Sequence, residues 1–157
     1  MYKLKKIQFY NLRAVYNITK ILHSCGKDMA NKYGLQHWNN SWIKSWIIVL
    51  LCLHKNEVYL VNDKKQNAVA TFQTRRVGDE YFFEKLAVMP NVSGGGIGTF
   101  CVNSIEKSAK SFKCKKVRME VYDKSNHAIN FYKKRGYRVK EQKNTRKYTE
   151  LVMEKIV

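Results

Sequence analysis

Four of the five positions from 94 to 98 are glycine: Gly94, Gly95, Gly96 and Gly98, interrupted only by Ile97. Ser93 precedes this cluster and Thr99 follows it. Upstream, Leu86-Ala87-Val88-Met89-Pro90 reads as the end of an apolar strand, closed by a proline that has no amide proton to donate. Downstream, Phe100, Cys101, Ile105, Ala109 and Phe112 recur at helical spacing. A strand, a glycine loop and a helix in that order aim several backbone N–H groups and the positive end of a helix at one point, which suits a phosphate. Glycine lets an anion come close to the backbone. Two phosphate loops are excluded by spacing. No lysine follows Gly98, as a G-x-x-x-x-G-K-[ST] loop requires, and Cys101 stands where the third glycine of G-x-G-x-x-G belongs.

The elements that must hold this loop can be traced along the chain. Residues 4 to 10 read as a first strand. Asn11 caps a helix on which Leu12, Val15, Ile18, Ile21, Leu22 and Cys25 share a face, continuing to Tyr33 and ending at Gly34. Residues 35 to 40 form a polar, aromatic loop. Ser41 caps a second helix with Trp42, Trp46, Ile47, Leu50 and Leu51. Strands follow at 57 to 61, 68 to 76 and 81 to 88, with turns at 62 to 65 and 78 to 79. Behind the glycine helix come a strand at 116 to 121, a short helix at 126 to 135 closed by Gly136, and an antiparallel pair at 137 to 139 and 147 to 155. The order is β-α-α-β-β-β-α-β-α-β-β, an α/β domain. Without a linker, repeat or low-complexity stretch, residues 1 to 157 are expected to form a single domain.

Composition bounds the function classes. The chain carries 30 Lys and Arg against 12 Asp and Glu, a formal net charge of +18. The basic residues are scattered, not gathered in a tail, and are not interleaved with aromatics as a single-strand nucleic-acid platform would be. They suit a phosphorylated cofactor, or simply a lysine-rich proteome. Cys25, Cys52, Cys101 and Cys114 lack C-x-x-C spacing, so no metal or redox site is expected. The longest apolar run, Trp46 to Leu53, is too short to span a bilayer. The first ten residues lack a signal peptide's apolar core. These features place the protein in the cytoplasm, away from membranes.

A second segment stands at a fixed distance from the first: Asn126-His127-Ala128-Ile129-Asn130-Phe131-Tyr132-Lys133-Lys134-Arg135-Gly136-Tyr137. Together the two resemble the signatures of the GNAT superfamily of acetyltransferases. The first is similar to its [RQ]-x-x-G-x-[GA] pattern entered from V-x-P, with Ser93 in place of the usual Arg or Gln. The second is similar to N-x-x-A-x-x-F-Y-x-x-x-G-[FY]. The likeness is carried by residues 81 to 157; residues 1 to 80 fit only the topology. It implies a mixed, mostly antiparallel central sheet flanked by helices, with acetyl-CoA as co-substrate, held by Leu86, Ala87, Val88, Ser93, Gly94, Gly95, Gly96, Ile97, Gly98, Thr99, Asn126 and Tyr132. The acceptor would be a small-molecule or peptide amine, and the protein a monomer or homodimer.

Within that reading, roles follow from the chemistry. Acetyl transfer to an amine requires a deprotonated amine, a donor for the oxyanion and a proton for the leaving thiolate. Tyr132 suits the last task, because a phenol titrating near 10 can protonate a thiolate whose thiol titrates near 8.5. Its alternative is aromatic packing. Val88 would offer its amide to the thioester oxygen. Asn126 would contact the pantetheine arm or cap its own helix. Glu84 is the candidate base, against the reading of an ordinary paired glutamate. His37, His54 and His127 titrate in a useful range. His37 and Trp38 would line the acceptor pocket, although Trp38, Trp42 and Trp46 at four-residue steps also read as one helix face packed on the core. The cysteines read as buried small hydrophobes. Two other functions remain open: a non-catalytic acyl-CoA sensor, and a basic tRNA- or nucleic-acid-associated protein on the same fold. No recognition motif supports the second.

Overall fold

The computed structural model describes residues 2–146 and 148–157, with the His37 side chain outside the described residues. In chain order the elements are β1 (Lys3–Ile7), α1 (Leu12–Tyr33), α2 (Trp42–Lys55), β2 (Glu57–Asn62), β3 (Ala68–Val77), β4 (Glu80–Val88), α3 (Ile97–Ser111), β5 (Lys116–Tyr122), α4 (Asn126–Lys133), β6 (Arg138–Asn144) and β7 (Thr149–Ile156). Short 3-10 turns stand at Gln36–Trp38 and Pro90–Val92. The order of elements is the one read from the sequence. One seven-stranded sheet runs β1-β2-β3-β4-β5-β7-β6. Its β1–β2, β2–β3, β5–β7 and β6–β7 pairs are antiparallel. The β4–β5 pair is parallel, over Glu80–Phe82 against Lys116–Arg118. The fold is therefore mixed α/β with a mostly antiparallel sheet. By its internal packing the chain divides into two compact units. One comprises the residues up to Thr74 together with 85–104, the other 75–84 with 105–157.

The first unit is built on its caps. Asn11 accepts a hydrogen bond from the Ala14 amide through its side chain, and Gly34 ends α1 at φ 66°. Left-handed backbone of that kind suits a residue without Cβ. Ser41 caps α2 through the Lys44 amide. Val15, Ile18 and Ile21 of α1 pack with Val49 of α2 and with Ile7, Val58 and Leu60 of the sheet. The tryptophan stripe is met only in part: Trp46 packs against this core. Trp38 lies in the 3-10 turn, not on α2, and the buried residues of α2 are Ser45 and Val49. Ile43, Ile47, Leu50 and Leu51 are exposed. A four-residue spacing that crosses a helix cap does not define a helix face.

The second unit buries Tyr81 and Phe83 of β4, Val117 and Met119 of β5, Ile129 and Tyr132 of α4, and Met153 of β7. Its alternate strand residues carry an ion ladder. Arg118 donates to Glu80 at 3.1 Å and to Glu141 at 3.2 Å, with its side chain one-fifth exposed. Lys116 meets Glu80 at 2.6 Å. The Lys116 hydrogen bond, followed by that from Arg118, holds the Glu80 carboxyl below its ordinary value of 4.5. Strand β6 runs five residues beyond the short stretch read at 137 to 139, because Glu141–Asn144 continue the pairing with β7 past a bulge.

Arg118→Met should lower unfolding stability by about 1–2 kcal/mol at neutral pH, since Glu80 then keeps one cation rather than two in a partly buried site. A carboxylate held below its unfolded value adds stability above that value and loses it as pH falls through the lower one. The wild type should therefore lose more stability between neutral pH and about pH 3 than the variant. Urea melts across that range measure both effects; parallel pH profiles would remove the ladder from the account.

Candidate active site

The glycine loop is held in the first unit. The Met89 amide donates to the Val69 carbonyl at 2.9 Å, which anchors the end of β4 to β3. Pro90–Val92 then turns, and both the amide and the hydroxyl of Ser93 donate to the Pro90 carbonyl, the hydroxyl at 2.9 Å. Ser93 is thus spent on its own turn and does not replace the reach of an Arg or Gln. The Tyr2 hydroxyl donates to the Gly95 carbonyl at 2.7 Å, and its ring lies against Phe100 with centroids 5.5 Å apart. The Phe100 amide closes the first turn of α3 on the Gly96 carbonyl at 3.0 Å. The amides of Ile97 and Gly98 stand in that first turn, where a helix has no internal acceptor for them. Gly96 has φ 79°, and a Cβ there would meet nothing within 4 Å. The loop needs glycine at this point for its backbone angle, and the space beside it is open.

Strand β4 enters this loop through an irregularity absent from the sequence reading. Lys85, in mid-strand, has φ 49°. The alternation that buries Tyr81 and Phe83 gives way to half-buried Leu86, Ala87 and Val88. Val88 presents its carbonyl to the Cys25 thiol, which donates at 3.2 Å. Burial, followed by the Asp28 charge, pushes that thiol up to about 12. Cys25 therefore stays protonated and acts as a donor, more than the apolar filler expected of it. Cys101 is likewise pushed up to about 12, by burial alone. Cys52 is half-buried, and Cys101 and Cys114 are buried.

In the same unit, residues 35–40 run beside α1. The carbonyl of Trp38 accepts from the Asn40 amide at 2.9 Å. Nδ1 of His23 stands 3.0 Å from the Asn40 carbonyl. A carbonyl only accepts, so Nδ1 carries the proton. The sequence reading missed His23, although it is the histidine this segment depends on. His37, expected in the acceptor pocket, lies with its side chain outside the described residues. His54 is exposed at the end of α2, and His127 is exposed on α4.

In the second unit Tyr132 is buried, its ring 5.9 Å from Phe83, 5.1 Å from Phe131 and 5.8 Å from Tyr137. Tyr137 is raised above its ordinary value, first by burial and then by the charge of Glu106. Glu106 itself receives Lys155 at 2.8 Å. Asn126 is exposed in the first turn of α4, and Ser125, not Asn126, holds the cap position. The capping alternative for Asn126 is thereby set aside. Glu84 is one-third exposed and bonded by the Arg75 guanidinium at 3.3 Å. Among the described residues, no group of three His, Cys, Asp or Glu side chains is placed to hold a metal ion. Nor is any helix among them long and apolar enough to cross a membrane.

This sequence matches the model of the acetyltransferase (GNAT) family over residues 15–137. The chain belongs to that family. Solved structures agree on the fold. The PaiA N-acetyltransferase of Thermoplasma acidophilum, in complex with coenzyme A, superposes with a TM-score of 0.81 at 13% identity, covering 100% of this chain and 99% of its own. The ribosomal-protein-S18-alanine N-acetyltransferase of Escherichia coli gives 0.69 at 16% identity, over 99% and 94%. Aminoglycoside 6'-acetyltransferase type Ii gives 0.75 at 16%, over 98% and 96%. No curated protein matches this chain by sequence. In the GNAT frame the glycine loop at the start of α3 and the irregular end of β4 become the parts to test first. Gly96→Ala should cost about 1 kcal/mol of stability, from backbone strain without a clash. A urea melt indistinguishable from wild type would show that the loop relaxes out of its left-handed geometry.

Proposed function

We propose that this GNAT chain transfers the acetyl group of acetyl-CoA to a primary amine by direct attack on the thioester. The observation that carries the reading is the Gly94–Thr99 loop. Its backbone is anchored by Tyr2 and Ser93, and its left-handed Gly96 stands beside open space at the start of a helix. The pyrophosphate of the cofactor would lie against those amides, a backbone interaction that the change from Arg or Gln to Ser93 leaves intact. Leu86, Ala87 and Val88 would run beside the pantetheine arm, with Asn126 as a further contact.

The reaction then balances as follows. The amine nitrogen bonds to the carbonyl carbon, and the developing oxyanion takes a hydrogen bond from the Val88 amide. As the carbon–sulfur bond breaks, the thiolate takes the phenolic proton of Tyr132, which water restores. The proton lost by the amine goes to water, with Glu84 as the candidate carboxylate. Glu84 would then have to release Arg75, so we give it the weaker claim. Trp38 and His37 stand in the segment assigned to the acceptor wall. The structural relatives act on acceptors as different as a ribosomal-protein alanine and an aminoglycoside. We therefore assign the acceptor only as a primary amine. Reduced thiols throughout suit the cytoplasm.

Coenzyme A should raise the melting temperature in proportion to the logarithm of its concentration above Kd, with little effect from NAD or ATP. In Gly96→Ala that shift should shrink well beyond the loss of intrinsic stability. Equal shifts from all three ligands would reduce the loop to a general polyanion site. Tyr132→Phe keeps the ring packing and removes the proton, so turnover should fall by roughly 100-fold with coenzyme A binding unchanged. The loss should appear in kcat, because the hydrogen bond forms only as charge develops on sulfur. Free-thiol release across an amine panel supplies the assay. A near-normal kcat would leave water as the proton donor.

A further inference from the structure

One turn of α1 touches both segments that the acetyltransferase reading needs. Cys25 gives its S–H to the Val88 carbonyl at 3.2 Å, at the end of β4 where the thioester is placed. The next residue, Gly26, is fully helical, where alanine would ordinarily be preferred by about 1 kcal/mol. A Cβ on Gly26 would collide with the carbonyl oxygen of Trp38 and stand 3.3 Å from its carbonyl carbon. Three residues before Gly26, His23 donates from Nδ1 to the Asn40 carbonyl at 3.0 Å and sets its ring edge-on to Trp42, centroids 5.5 Å apart. Three neighbouring positions of one helix thus hold three backbone points: Val88 on the cofactor side, and Trp38 and Asn40 on the acceptor side. All of them lie in the first unit.

We infer that the turn His23–Gly26 is a positioning element that sets the spacing between the acceptor segment 35–40 and the thioester end of β4. The inference rests on the acetyltransferase reading for what occupies that spacing. Its logic is the close approach. The missing side chain at Gly26 lets the chain at Trp38 lie directly on the helix. The neutral thiol at Cys25 satisfies the Val88 carbonyl while leaving the Val88 amide to the substrate oxygen. A thiolate would repel that carbonyl, and the burial of Cys25 keeps the proton in place. A ligand that fixes Val88 therefore also stiffens residues 35–40, through two adjacent residues of a rigid helix.

Amide hydrogen exchange, with coenzyme A as the probe, tests this without knowledge of the acceptor. In wild type, saturating coenzyme A should slow exchange at 86–98, and also at 36–42 by on the order of 10-fold. In Cys25→Ala the protection at 86–98 and the thermal shift should persist, while the protection at 36–42 is lost; Cys25→Ser, which restores a donor, should recover it. In Gly26→Ala, residues 36–42 should exchange on the order of 10-fold faster even without ligand. With an amine from the panel, that variant should raise the acceptor's KM and leave the KM of acetyl-CoA unchanged. A merely structural role would lower stability in all variants and leave the ligand-dependent protection at 36–42 intact. That result, or its absence in wild type while 86–98 is protected, overturns the inference. Protection at neither segment, with no thermal shift, would instead overturn the cofactor reading, and the positioning role with it.

Discussion

A lysine at φ 49° in the middle of a strand is held against its own preference, at a cost of about 1–2 kcal/mol. Lys85 is so held because the chain needs β4 to do two things. Up to Phe82 the strand pairs in parallel with β5 and buries Tyr81 and Phe83. From Leu86 onward it must present backbone, not side chains, and end in a turn anchored to Val69. A regular strand would carry its alternation straight through, with every amide committed to a ladder. The irregularity at Lys85 ends that alternation, and the boundary between the two compact units falls beside it, between Glu84 and Lys85. Strain of this kind persists only where the surrounding structure overrides local preference, and it concentrates at functional sites.

Downstream of Lys85 the loop has backbone, not side-chain, groups to offer the proposed cofactor. Ser93, Tyr2 and the 3-10 turn at Pro90–Val92 spend their polar groups on holding the loop. That explains how a family signature can lose its long Arg or Gln and still read as a phosphate cradle. Tyr132, the proposed proton donor, sits in the second unit among Phe83, Phe131 and Tyr137. The ion ladder around Arg118 fixes the strands that carry this aromatic group. It acts on stability, not on catalysis.

What the sequence made legible was local. Asn11 and Ser41 as caps, Gly34 as a stop and the glycine loop before a helix each depend on neighbours within a few residues, and each stands where the pattern puts it. The family signatures extended that reach to the fold and the cofactor. What remained hidden depends on partners far along the chain. Nothing at Cys25 announces a carbonyl 63 residues away, and nothing at Gly26 announces the backbone of Trp38. The tryptophan spacing misled because periodicity continues across a cap although the helix does not. The sequence left Glu84 open between a base and a paired glutamate, and only the strand pairing brings Arg75 beside it. Tyr2 and His23 carried no motif, and only the packing of the first unit gives them work.

The charge of the chain bears on the weakest step of the mechanism. An ammonium acceptor must lose a proton before it can attack, and Glu84, the candidate base, is engaged by Arg75. The first 56 residues hold nine Lys and Arg and a single acid, Asp28, which is paired with Lys32 at 2.7 Å. Nearby positive charge disfavours a protonated amine and lowers its pKa, as a like charge does for any titrating group. Basic groups close to a bound amine would therefore favour its neutral form before any base acts. The same charge draws the polyanionic cofactor toward the loop. Both effects are long-ranged and weaken as salt shortens the screening length. In the proposed reaction the lysine excess, which looks like background in the sequence, would work in the same direction at both ends, and Tyr132 would be left as the side chain asked to move a proton.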